Sequence, residues 1–534
     1  MMAKPARPLP AAAALAVLAG ILVAVGGAPA AAAPEPAGAS VSAATGAVRP
    51  EGPLSPSTSR AADRAALADR LDQVREKVAA AQPAAPGGPA APDAKVGVEP
   101  TNLPGAIGTQ ALLIRRNEAN DRATAVSSTL AEPAAANEGN TVFYTGNTYA
   151  SSSLDNGVNW ADVALPAGPA DAPNACCDQD VVRAHPRDRF FSILLYTNAA
   201  LTNGVIRIFV RDAVNAAPLC TYLIDPGGAA DNVLPDYPHL ALTSGFLYLS
   251  SSNLTNGSTW TAAQIRRFDL AQMSACMTAT TNTFTHTGTV GQRILTPVEG
   301  AANLTTMYFA AIESTSSMRA FTWPESSTTI TNVVRTIQTS TFNNPDCRGG
   351  TGDFDFIERT TSFSAAGFRM RGAVHGANVT WFWNASAGGG VTQGHVRAAS
   401  FRRSDMVLLS EPHIFNADHC FGYPTVSGNV FGDLGITIAA GGRAGGGGSA
   451  AQGFVGVDDT PADAIHFGTV ILTASGTHNR ADGRYGDYFT VRTNARCTNA
   501  WVATNYAMLN GNTTSAHVNA RYVEFGSTLD SACF

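Results

Sequence analysis

The chain has 534 residues, of which 45% are hydrophobic and only 14% are charged, and its formal net charge is -6. A chain of this length can bury a large core, and one domain of several hundred residues is expected. The acidic balance, without a cluster of Lys and Arg, argues against a nucleic-acid-binding surface. No stretch after the N-terminal leader is apolar for about 20 residues, so we expect no membrane span in the mature chain.

The N-terminus has the pattern of a secretory signal peptide. Lys4 and Arg7 supply a positive start, residues 9–25 form an apolar run, and 28–30 is a small-residue cleavage site. The alternative is an uncleaved membrane anchor, but small residues follow the run and no basic stop-transfer cluster does. We therefore predict a signal peptide over 1–30 and a secreted, extracellular protein.

Residues 31–107 are dominated by Ala, Pro, Gly and Ser, which is a linker composition. Within them, 59–82 has apolar residues at intervals of three and four, as on one face of a helix. A coiled coil needs about three or four heptads, and this stretch has barely two. We predict a flexible segment with one short helix, either a lone amphipathic helix or the remnant of a pro-region. The apolar stripe consists of Leu67, Leu71, Val74 and Val78.

The cysteines are even in number and all lie at position 176 or later. An even count in a secreted protein favours disulfides, although the sequence leaves their connectivity open. No CxxC pair occurs, which argues against a zinc site of that type. The disulfide candidates are Cys176, Cys177, Cys220, Cys276, Cys347, Cys420, Cys497 and Cys533.

From Ala111 onward, short apolar runs recur between clusters of Asn, Asp, Gly and Thr, which is typical of an all-β protein. Each repeat has a short first strand that opens with a polar residue, then a strongly apolar second strand and two amphipathic strands. We predict an all-β fold, a seven-bladed β-propeller over 108–534, with six blades as the runner-up. The second strands are Thr141–Tyr144, Phe190–Tyr196, Phe246–Leu249, Met307–Ile312, Phe368–Val374, Leu434–Ile438 and Trp501–Tyr506.

The last repeat has only three strands, at Tyr488–Thr493, Trp501–Met508 and His517–Phe525. The run Ala111–Arg116, which precedes the first repeat, can supply the fourth. A ring closed by pairing its N- and C-terminal strands has no open edge.

The stretch Ser153–Trp160 predicts a tight turn between the strand-like runs Thr148–Ser152 and Val158–Ala164. Its Asp-Asn-Gly centre tolerates a left-handed backbone, and the Trp can fold back beneath the turn. The spacing S-x-D-x-G-x-x-W is that of the Asp-box, so the chain resembles the sialidase-like (BNR/Asp-box) β-propellers, as a secreted bacterial-type member. A second stretch, Asn253–Trp260, keeps only the Gly-to-Trp spacing.

The resemblance implies that this turn joins a third and a fourth strand on the face away from the ligand site. Its residues Ser153, Asp155, Gly157 and Trp160 are therefore structural by implication. Sialidases of the family use a Tyr nucleophile with a Glu, an Asp acid/base and three Arg that hold a carboxylate.

These catalytic motifs are matched only loosely. The family motif F/Y-R-I-P has its Arg at Arg115 but lacks the Ile-Pro that should follow. Tyr485 and Tyr488 flank Gly486-Asp487 and can face the channel. The further arginines, which stand in no matching motif, are Arg359, Arg369, Arg371 and Arg492.

Acidic residues recur where the first strands of the predicted blades begin, around the central channel. Converging carboxylates can bind calcium or act as an acid/base pair on a glycoside. Alternatively, each accepts backbone N–H groups from the neighbouring blade, and the repetition favours this structural interpretation. The acids are Glu132, Asp178, Asp236, Glu299, Asp353 and Asp487. The ligand-pocket candidates are Asp178, Asp236, His239, Glu299, Asp353, Asp487 and Tyr488.

Three other stretches have a functional and a structural interpretation. Glu411–His413 with Asp418–Cys420 offers metal-ligand types, but no HExxH or EF-hand pattern occurs and a disulfide-tied loop explains it as well. Trp381 and Trp383 form either a sugar-stacking platform or ordinary buried packing, which aromatic residues in strands favour. The glycine-dense Gly441–Gly448 lacks G-K-[ST], so we predict a loop and not a phosphate site.

We expect no cofactor, with calcium at the converging acids as the alternative, no nucleic acid, and a monomer that binds a glycan or an extracellular protein. Three functions stay open: a binding module without catalytic residues, a diverged glycoside hydrolase of sialidase type, and an interaction propeller whose helix docks a partner. The fold alone decides none of them.

Overall fold

The computed structural model describes residues 39–55, 57, 61–80, 94–97, 99–101, 112–120, 130–185, 187–226, 232–287, 294–338, 346–357, 369–388, 390–458, 465, 467–512 and 517–527. The predicted signal peptide, Arg359 and Cys533 lie outside these residues. Among the helices of the described residues, none is long and apolar enough to cross a membrane.

Ahead of the first blade, the chain contributes one helix and five strands. The helix begins within two residues of the predicted start, but the four strands β1–β4 were not predicted in this segment. These elements are β1 (Ala39–Ser42), β2 (Ala44–Val48), α1 (Ala61–Ala80), β3 (Ala94–Gly97), β4 (Glu99–Thr101) and β5 (Leu112–Ala119).

Antiparallel sheets then follow one another along the chain, and we call them blades in chain order. Blade 1 contains β6 (Ala134–Glu138), β7 (Thr141–Gly146), β8 (Tyr149–Ser153) and β9 (Ala161–Asp162). Blade 2 contains β10 (Asn174–Ala175), β11 (Asp180–Ala184), β12 (Arg189–Thr197), β13 (Gly204–Asp212) and β14 (Pro218–Ile224). Blade 3 contains β15 (Val233–Leu242), β16 (Phe246–Thr255), β17 (Thr259–Asp269), the short helix α2 (Leu270–Ser274) and β18 (Ala279–His286).

Blades 4 and 5 share one continuous sheet, because their inner strands β19 and β25 pair in parallel. Blade 4 contains β19 (Thr296–Glu299), β20 (Thr306–Ser314), β21 (Ser317–Pro324) and β22 (Thr329–Thr336). A small sheet that includes β23 (Cys347–Gly349) and β24 (Phe354–Asp355) follows. Blade 5 contains β25 (Arg371–His375), β26 (Asn378–Ala385), β27 (His395–Arg402), β28 (Leu408–Ser410) and β29 (Pro412–Phe415).

The last two blades complete the chain. Blade 6 contains β30 (Cys420–Gly428), β31 (Leu434–Gly441), β33 (Gln452–Asp458) and β34 (Thr469–Ala474), and β32 (Arg443–Ala444) joins the small sheet. Blade 7 contains β35 (Val491–Thr493), β36 (Trp501–Asn505) and β37 (Arg521–Ser527).

The blades form a β-propeller, because their inner strands contact one another in a closed ring. The order is β6, β11, β15, β19, β25, β30 and β35, with β35 returning to β6. In an antiparallel meander, the segments that lead into the inner strands lie on the same face as the turns between second and third strands. We call this the entry face and the opposite one the exit face.

The N-terminal strands add outer strands to the blades of the same ring. β1 pairs with β22 and β2 with β18, while β3 and β4 run parallel to β29 and β34. Edge strands are held by backbone hydrogen bonds and need no apolar side chains, so an Ala- and Ser-rich sequence suffices. The predicted closure is present: β5 pairs with β37 and completes blade 7.

Two of the predicted strand positions are wrong. The run Phe368–Val374 was assigned to a second strand, but β25 is an inner strand and β26 is the second strand of its blade. Asp353 was placed at a first-strand start, but it precedes β24 in the small three-stranded sheet. The first error arises because inner and second strands are equally buried, so burial pattern alone does not give radial position. The second arises because an Asp before a short turn resembles an Asp before an inner strand.

Three disulfides connect described residues. They join the adjacent pair Cys176–Cys177, Cys220 with Cys276, and Cys347 with Cys420. Cys497 is disulfide-bonded as well.

The two tryptophans that alternate on β26 are both fully buried. Trp381 Nε1 donates to the carbonyl of Thr296, 3.2 Å away, in the neighbouring blade. Trp383 packs near the Arg397 guanidinium, at 5.7 Å from the ring centroid. They are packing residues of the core rather than an exposed sugar platform.

Candidate functional site

The densest charged cluster of the channel is centred on Arg492, on inner strand β35. Its Nη2 lies 2.6 Å from Asp180 Oδ1, and its Nη1 lies 2.7 Å from Glu299 Oε1. Its Nε donates to the carbonyl of Val181 at 3.1 Å. One guanidinium thus joins inner strands of blades 2, 4 and 7, and a planar fork of donors suits such a bridge.

The carboxylates of this cluster have separated pKa values. Burial raises the pKa of Glu299 to about 7, although Arg492 acts in the opposite direction. Burial also acts to raise the pKa of Asp180, but Arg492 and His239 together hold it below its usual value. Asp180 therefore stays ionised, while Glu299 titrates near neutral pH.

His239 lies beside this pair on inner strand β15. Its Nδ1 is 3.9 Å from Asp180 Oδ2. Burial, with Arg371 nearby, lowers the pKa of His239 to about 3, so the imidazole is neutral at physiological pH. Within the described part of the chain its Nε2 has no hydrogen-bond partner.

Two tyrosines and an arginine form the next part of the channel. Tyr237 and Tyr488 have ring centroids 5.1 Å apart, and each lies within 5 Å of the His239 ring, at 4.8 and 4.9 Å. The Arg371 guanidinium sits 5.4 Å from the Tyr237 centroid and 5.3 Å from that of Tyr488. Its Nη2 also donates to Tyr237 Oη at 3.2 Å.

Several of the predicted acids hold neighbouring blades together. Asp178 Oδ2 accepts the backbone N–H of Tyr237 at 3.1 Å, and Glu132 Oε1 accepts that of Asp487 at 2.9 Å. Asp487 itself forms an ion pair with Arg369. These contacts agree with the structural interpretation of the acid repeat, since each links one blade to another.

The backbone at these links is left-handed in three places. Glu132, Asp178 and Tyr237 have φ of 42, 53 and 55°. Such angles cost of order 1–3 kcal/mol for residues other than Gly, so they persist only where surrounding contacts fix them. For two of the three, a side-chain acceptor from the adjacent blade supplies such a contact: Asn147 accepts the N–H of Asp178, and Asp178 accepts that of Tyr237.

The channel leaves little free volume. A cavity of about 20 Å³ adjoins His239, Glu299, Arg371 and Arg492. A water molecule needs at least about 10–15 Å³, so this space holds one small molecule of that size. Towards the exit face, a second cavity of about 160 Å³ is shared by Glu299, Arg492 and the inner-strand ends.

Helix α1 lies on the entry face. Arg64 Nε donates to the carbonyl of Thr148, in the turn between β7 and β8, at 3.1 Å. Arg70 Nη1 donates to that of Ala199, in the turn between β12 and β13, at 2.9 Å. Leu67, Ala68 and Leu71 are buried in one cluster with the Cys176–Cys177 disulfide.

The carboxylate of Asp69, on this helix, is held by two buried arginines that precede β35. It pairs with Arg480, and its Oδ1 lies 3.0 Å from Arg484 Nη2. Arg484 Nη1 also donates to the Asp69 carbonyl at 3.1 Å. Asp482 pairs with the same arginines, at 2.7 Å from Arg480 Nε and 2.9 Å from Arg484 Nη2.

The structure brings together part of the predicted ligand pocket. His239, Glu299 and Tyr488 line the channel cavity, and Asp178 and Asp487 contact residues of that group through Tyr237. Asp236 is buried on β15.

Asp353 lies apart from the channel, in the loop region of the small sheet. Its Oδ1 accepts the N–H of Gly447 at 2.9 Å, and its Oδ2 lies 3.5 Å from Arg348 Nη1. The glycine-dense stretch, predicted as a loop, includes the end of β31 and the short strand β32 and forms a loop only after them, where Gly445, Gly446 and Gly447 all have positive φ.

The stretch with metal-ligand residue types forms internal hydrogen bonds. Glu411 Oε1 accepts the N–H of Gln338 at 2.6 Å, and His413 Nδ1 lies 2.9 Å from His395 Nε2. Cys420 is tied to Cys347. Among the described residues, no group of three or more His, Cys, Asp or Glu is arranged to hold a metal ion.

The turn at Ser153–Trp160 joins β8 to β9, the third and fourth strands of blade 1, and so lies on the exit face. Ser153 Oγ accepts the N–H of Gly157 at 2.8 Å, and Asp155 Oδ1 accepts that of Asn159 at 2.8 Å. Trp160 is buried and its Nε1 donates to the carbonyl of Ala119 at 3.1 Å.

The second candidate stretch, Asn253–Trp260, has a different place in its blade. It forms the turn between β16 and β17, which are second and third strands. It therefore lies on the entry face and has no counterpart of the Ser and Asp contacts seen in blade 1.

Asp180, Asp69 and Arg480 were not predicted from the sequence. Asp180 is the first residue of β11, two positions after Asp178, so an acid at the start of an apolar run was the available signal. For Asp69 and Arg480 no local signal exists, because they are 411 positions apart in the chain.

No model of a known protein family matches the chain, and no curated protein matches it by sequence. Among solved structures it is similar to one described as NanB plus Optactamide, at 9% identity and a TM-score of 0.36, over 75% of this chain and 68% of that one. It is similar to the α-L-arabinofuranosidase Arb93A from Fusarium graminearum at 9% identity and a TM-score of 0.36, over 77% of this chain and 96% of that one. It is also similar to the Dos1 propeller at 8% identity and a TM-score of 0.36, over 72% of this chain and 75% of that one. At these TM-scores the similarities carry no inference about ligand or activity.

Proposed function

We propose that the chain is an extracellular binding propeller, which holds a glycan or a protein ligand and is not a hydrolase. The proposal rests on the charged groups of the channel, which are already paired with one another. Arg492 already spans Asp180 and Glu299, and the adjoining cavity is about 20 Å³. Ligand pockets usually have about 300–1,000 Å³, and a glycosidase needs two carboxylates that flank the scissile bond.

The entry face is the surface that we propose for the ligand. It already accepts one peptide element, since α1 lies across the turns of blades 1 and 2 and its Asp69 carboxylate meets Arg480 and Arg484. Guanidinium groups recognise carboxylates by paired hydrogen bonds. We therefore expect the ligand to carry a carboxylate and to compete with α1.

The extracellular location is supported by the disulfides and by the predicted signal peptide. Three disulfides among the described residues suit an oxidising compartment.

The test is a pair of screens on the purified chain. A panel of fluorogenic glycosides, sialosides included, should give no more turnover than a heat-denatured control. An array of glycans and extracellular proteins should give saturable binding, strongest for acidic ligands and stronger in Asp69→Asn, which loosens α1, than in the exposed-helix control Asp63→Asn. Turnover well above the control, or no binding by either protein, would overturn the proposal.

A glycoside hydrolase of sialidase type is the second candidate, and specific observations favour it. The pKa of Glu299 is raised to about 7 by burial while that of the adjacent Asp180 is lowered, and such a separation is how one site provides an acid and a base. Arg371 and Arg492 also lie near the Tyr488 and Glu299 side chains.

This candidate makes its own prediction. If turnover is found in the glycoside panel, Glu299→Gln should abolish the part of the pH–rate profile that titrates near pH 7, and Tyr488→Phe should lower kcat. If both variants keep the activity of the parent chain, the channel is not the catalytic site.

A further inference from the structure

A cavity lies outside the channel, at the outer edge of blade 2. It measures about 700 Å³, which is within the range of about 300–1,000 Å³ for small-molecule sites. Its roof is the segment Glu51–Leu54, which we call the strap, and its floor includes Phe209, Arg211 and Leu219 from β13 and β14. Val163 closes one side.

The strap is fixed at both ends. The N–H of Glu51 donates to the carbonyl of Thr221 at 2.8 Å, and Ser55 accepts the N–H of Ala167 at 2.8 Å. The Glu51 carboxylate takes two hydrogen bonds from Arg207, at 2.7 and 3.0 Å, and one from Thr221 Oγ1 at 3.0 Å. The cavity is therefore bounded by an anchored segment.

Arg211 is the polar group of the cavity whose charge is not compensated. It is 5% exposed, and its Nη1 donates only to the carbonyl of Ala216, at 3.3 Å. Its guanidinium lies 4.5 Å from the ring centroid of Phe143 and 5.6 Å from that of Phe209. Within the described residues it forms no ion pair, and its Nε has no hydrogen-bond partner.

Arg207, on the same strand, is an arginine whose charge is compensated by a carboxylate. Two positions separate successive side chains on one side of a strand, so Arg207 and Arg211 share a side of β13. Arg207 meets the Glu51 carboxylate, and Arg211 meets none. A buried, unpaired charge is costly, and burial lowers the pKa of Arg211 to about 10, which still leaves it protonated at neutral pH.

We propose that this cavity binds a small organic anion, a carboxylate with an apolar body. The carboxylate would pair with Arg211, and the body would pack against Leu54, Phe209 and Leu219. Two acids line the cavity: Arg207 already compensates the charge of Glu51, and Asp162 is exposed to solvent, which screens its charge. The site lies on blade 2 and does not rest on the binding function proposed for the entry face.

The probe is 3-phenylpropionate, titrated into the full chain by calorimetry at pH 7, with the neutral 3-phenylpropanol as its matched partner. We expect the acid to bind at least tenfold more tightly than the alcohol. Arg211→Gln should reduce the affinity for the acid at least tenfold and leave that for the alcohol within twofold. The control Arg402→Gln, at an exposed arginine of blade 5, should change neither.

Two results would overturn the proposal: no heat of binding up to millimolar acid, or an Arg211→Gln variant that binds the acid as the parent does. If Arg211→Gln does not fold, Ala164→Phe provides the second variant, since Ala164 is an exposed residue of the cavity wall. It should weaken binding of acid and alcohol alike. Unchanged affinities in Ala164→Phe would place the probe elsewhere and also contradict the proposal.

Discussion

Two buried arginines, Arg492 in the channel and Arg480 beneath α1, each face two carboxylates that differ in origin. Arg492 takes both from the inner strands of other blades, at Asp180 and Glu299. Blades 2, 4 and 7 meet at this guanidinium, so its ion pairs hold the ring itself.

Arg480 has one local and one distant partner. Asp482 is two residues further along the chain, and Asp69 belongs to a helix that lies on the entry face. Losing Asp69 leaves the arginine paired with Asp482. Similar ion pairs thus close the ring of blades in one place and hold a docked helix in another.

Substitutions in the channel cluster should reduce the stability of the fold more than substitutions in the ion pairs beneath α1. Arg492→Met leaves the Asp180 and Glu299 carboxylates without their shared cation, and breaking a buried pair costs about 3–5 kcal/mol. Urea denaturation of the full chain measures this loss. The control Arg402→Met removes an ion pair whose arginine side chain is 48% exposed, and solvent screening should make its loss far smaller than that in Arg492→Met. Equal losses in the two variants would contradict the role given to Arg492.

Glu299 makes the channel sensitive to pH. Its pKa is raised from 4.5 to about 7, chiefly by burial, so between these values the folded state holds a proton that the unfolded state has lost. Stability from this group is present below about pH 4.5 and falls as the pH rises to about 7, by up to about 3 kcal/mol.

Glu299→Gln tests that assignment, because it removes the titrating group. The stability of the parent chain relative to the variant should decrease from pH 4.5 to 7. His239 contributes the opposite slope, since its lowered pKa of about 3 makes stability rise with pH up to about 6.5, and it is present in both proteins. A difference between parent and variant that does not change with pH would contradict the raised pKa.

Most blades could be predicted because their second strands are nearly continuous apolar runs, as at Phe190–Tyr196, which lies within β12. The closing strand β5 was predicted on other grounds, because the last repeat has only three strands and Ala111–Arg116 precedes the first repeat. The edge strands β1 and β2 were missed, since a strand held only by backbone hydrogen bonds leaves no apolar pattern in the sequence. Local sequence thus reports the buried strands and not the strands that wrap them.

The site was predicted only where a residue type and a strand position coincide, as for His239 and Glu299. Asp353 was misplaced because an Asp before a short turn resembles an Asp before an inner strand. The pairing of Asp69 with Arg480 needed the folded chain, since neither residue stands in a recognisable pattern. Sequence shows which groups carry charge, and the fold decides which of them meet.

The weakest effect is expected on the entry face. Asp69→Asn keeps an oxygen acceptor for Arg484 but removes the charge, and Arg480 retains Asp482, so we expect a loss of about 1–2 kcal/mol in the docking of α1. Amide hydrogen exchange should show α1 exchanging about 5- to 30-fold faster while the blade strands keep their protection. Asp63→Asn, at an exposed position of the same helix, should leave exchange unchanged. If protection fell throughout the ring in Asp69→Asn, the helix would be part of the framework rather than an element docked on it, and the two arginines would have the same role.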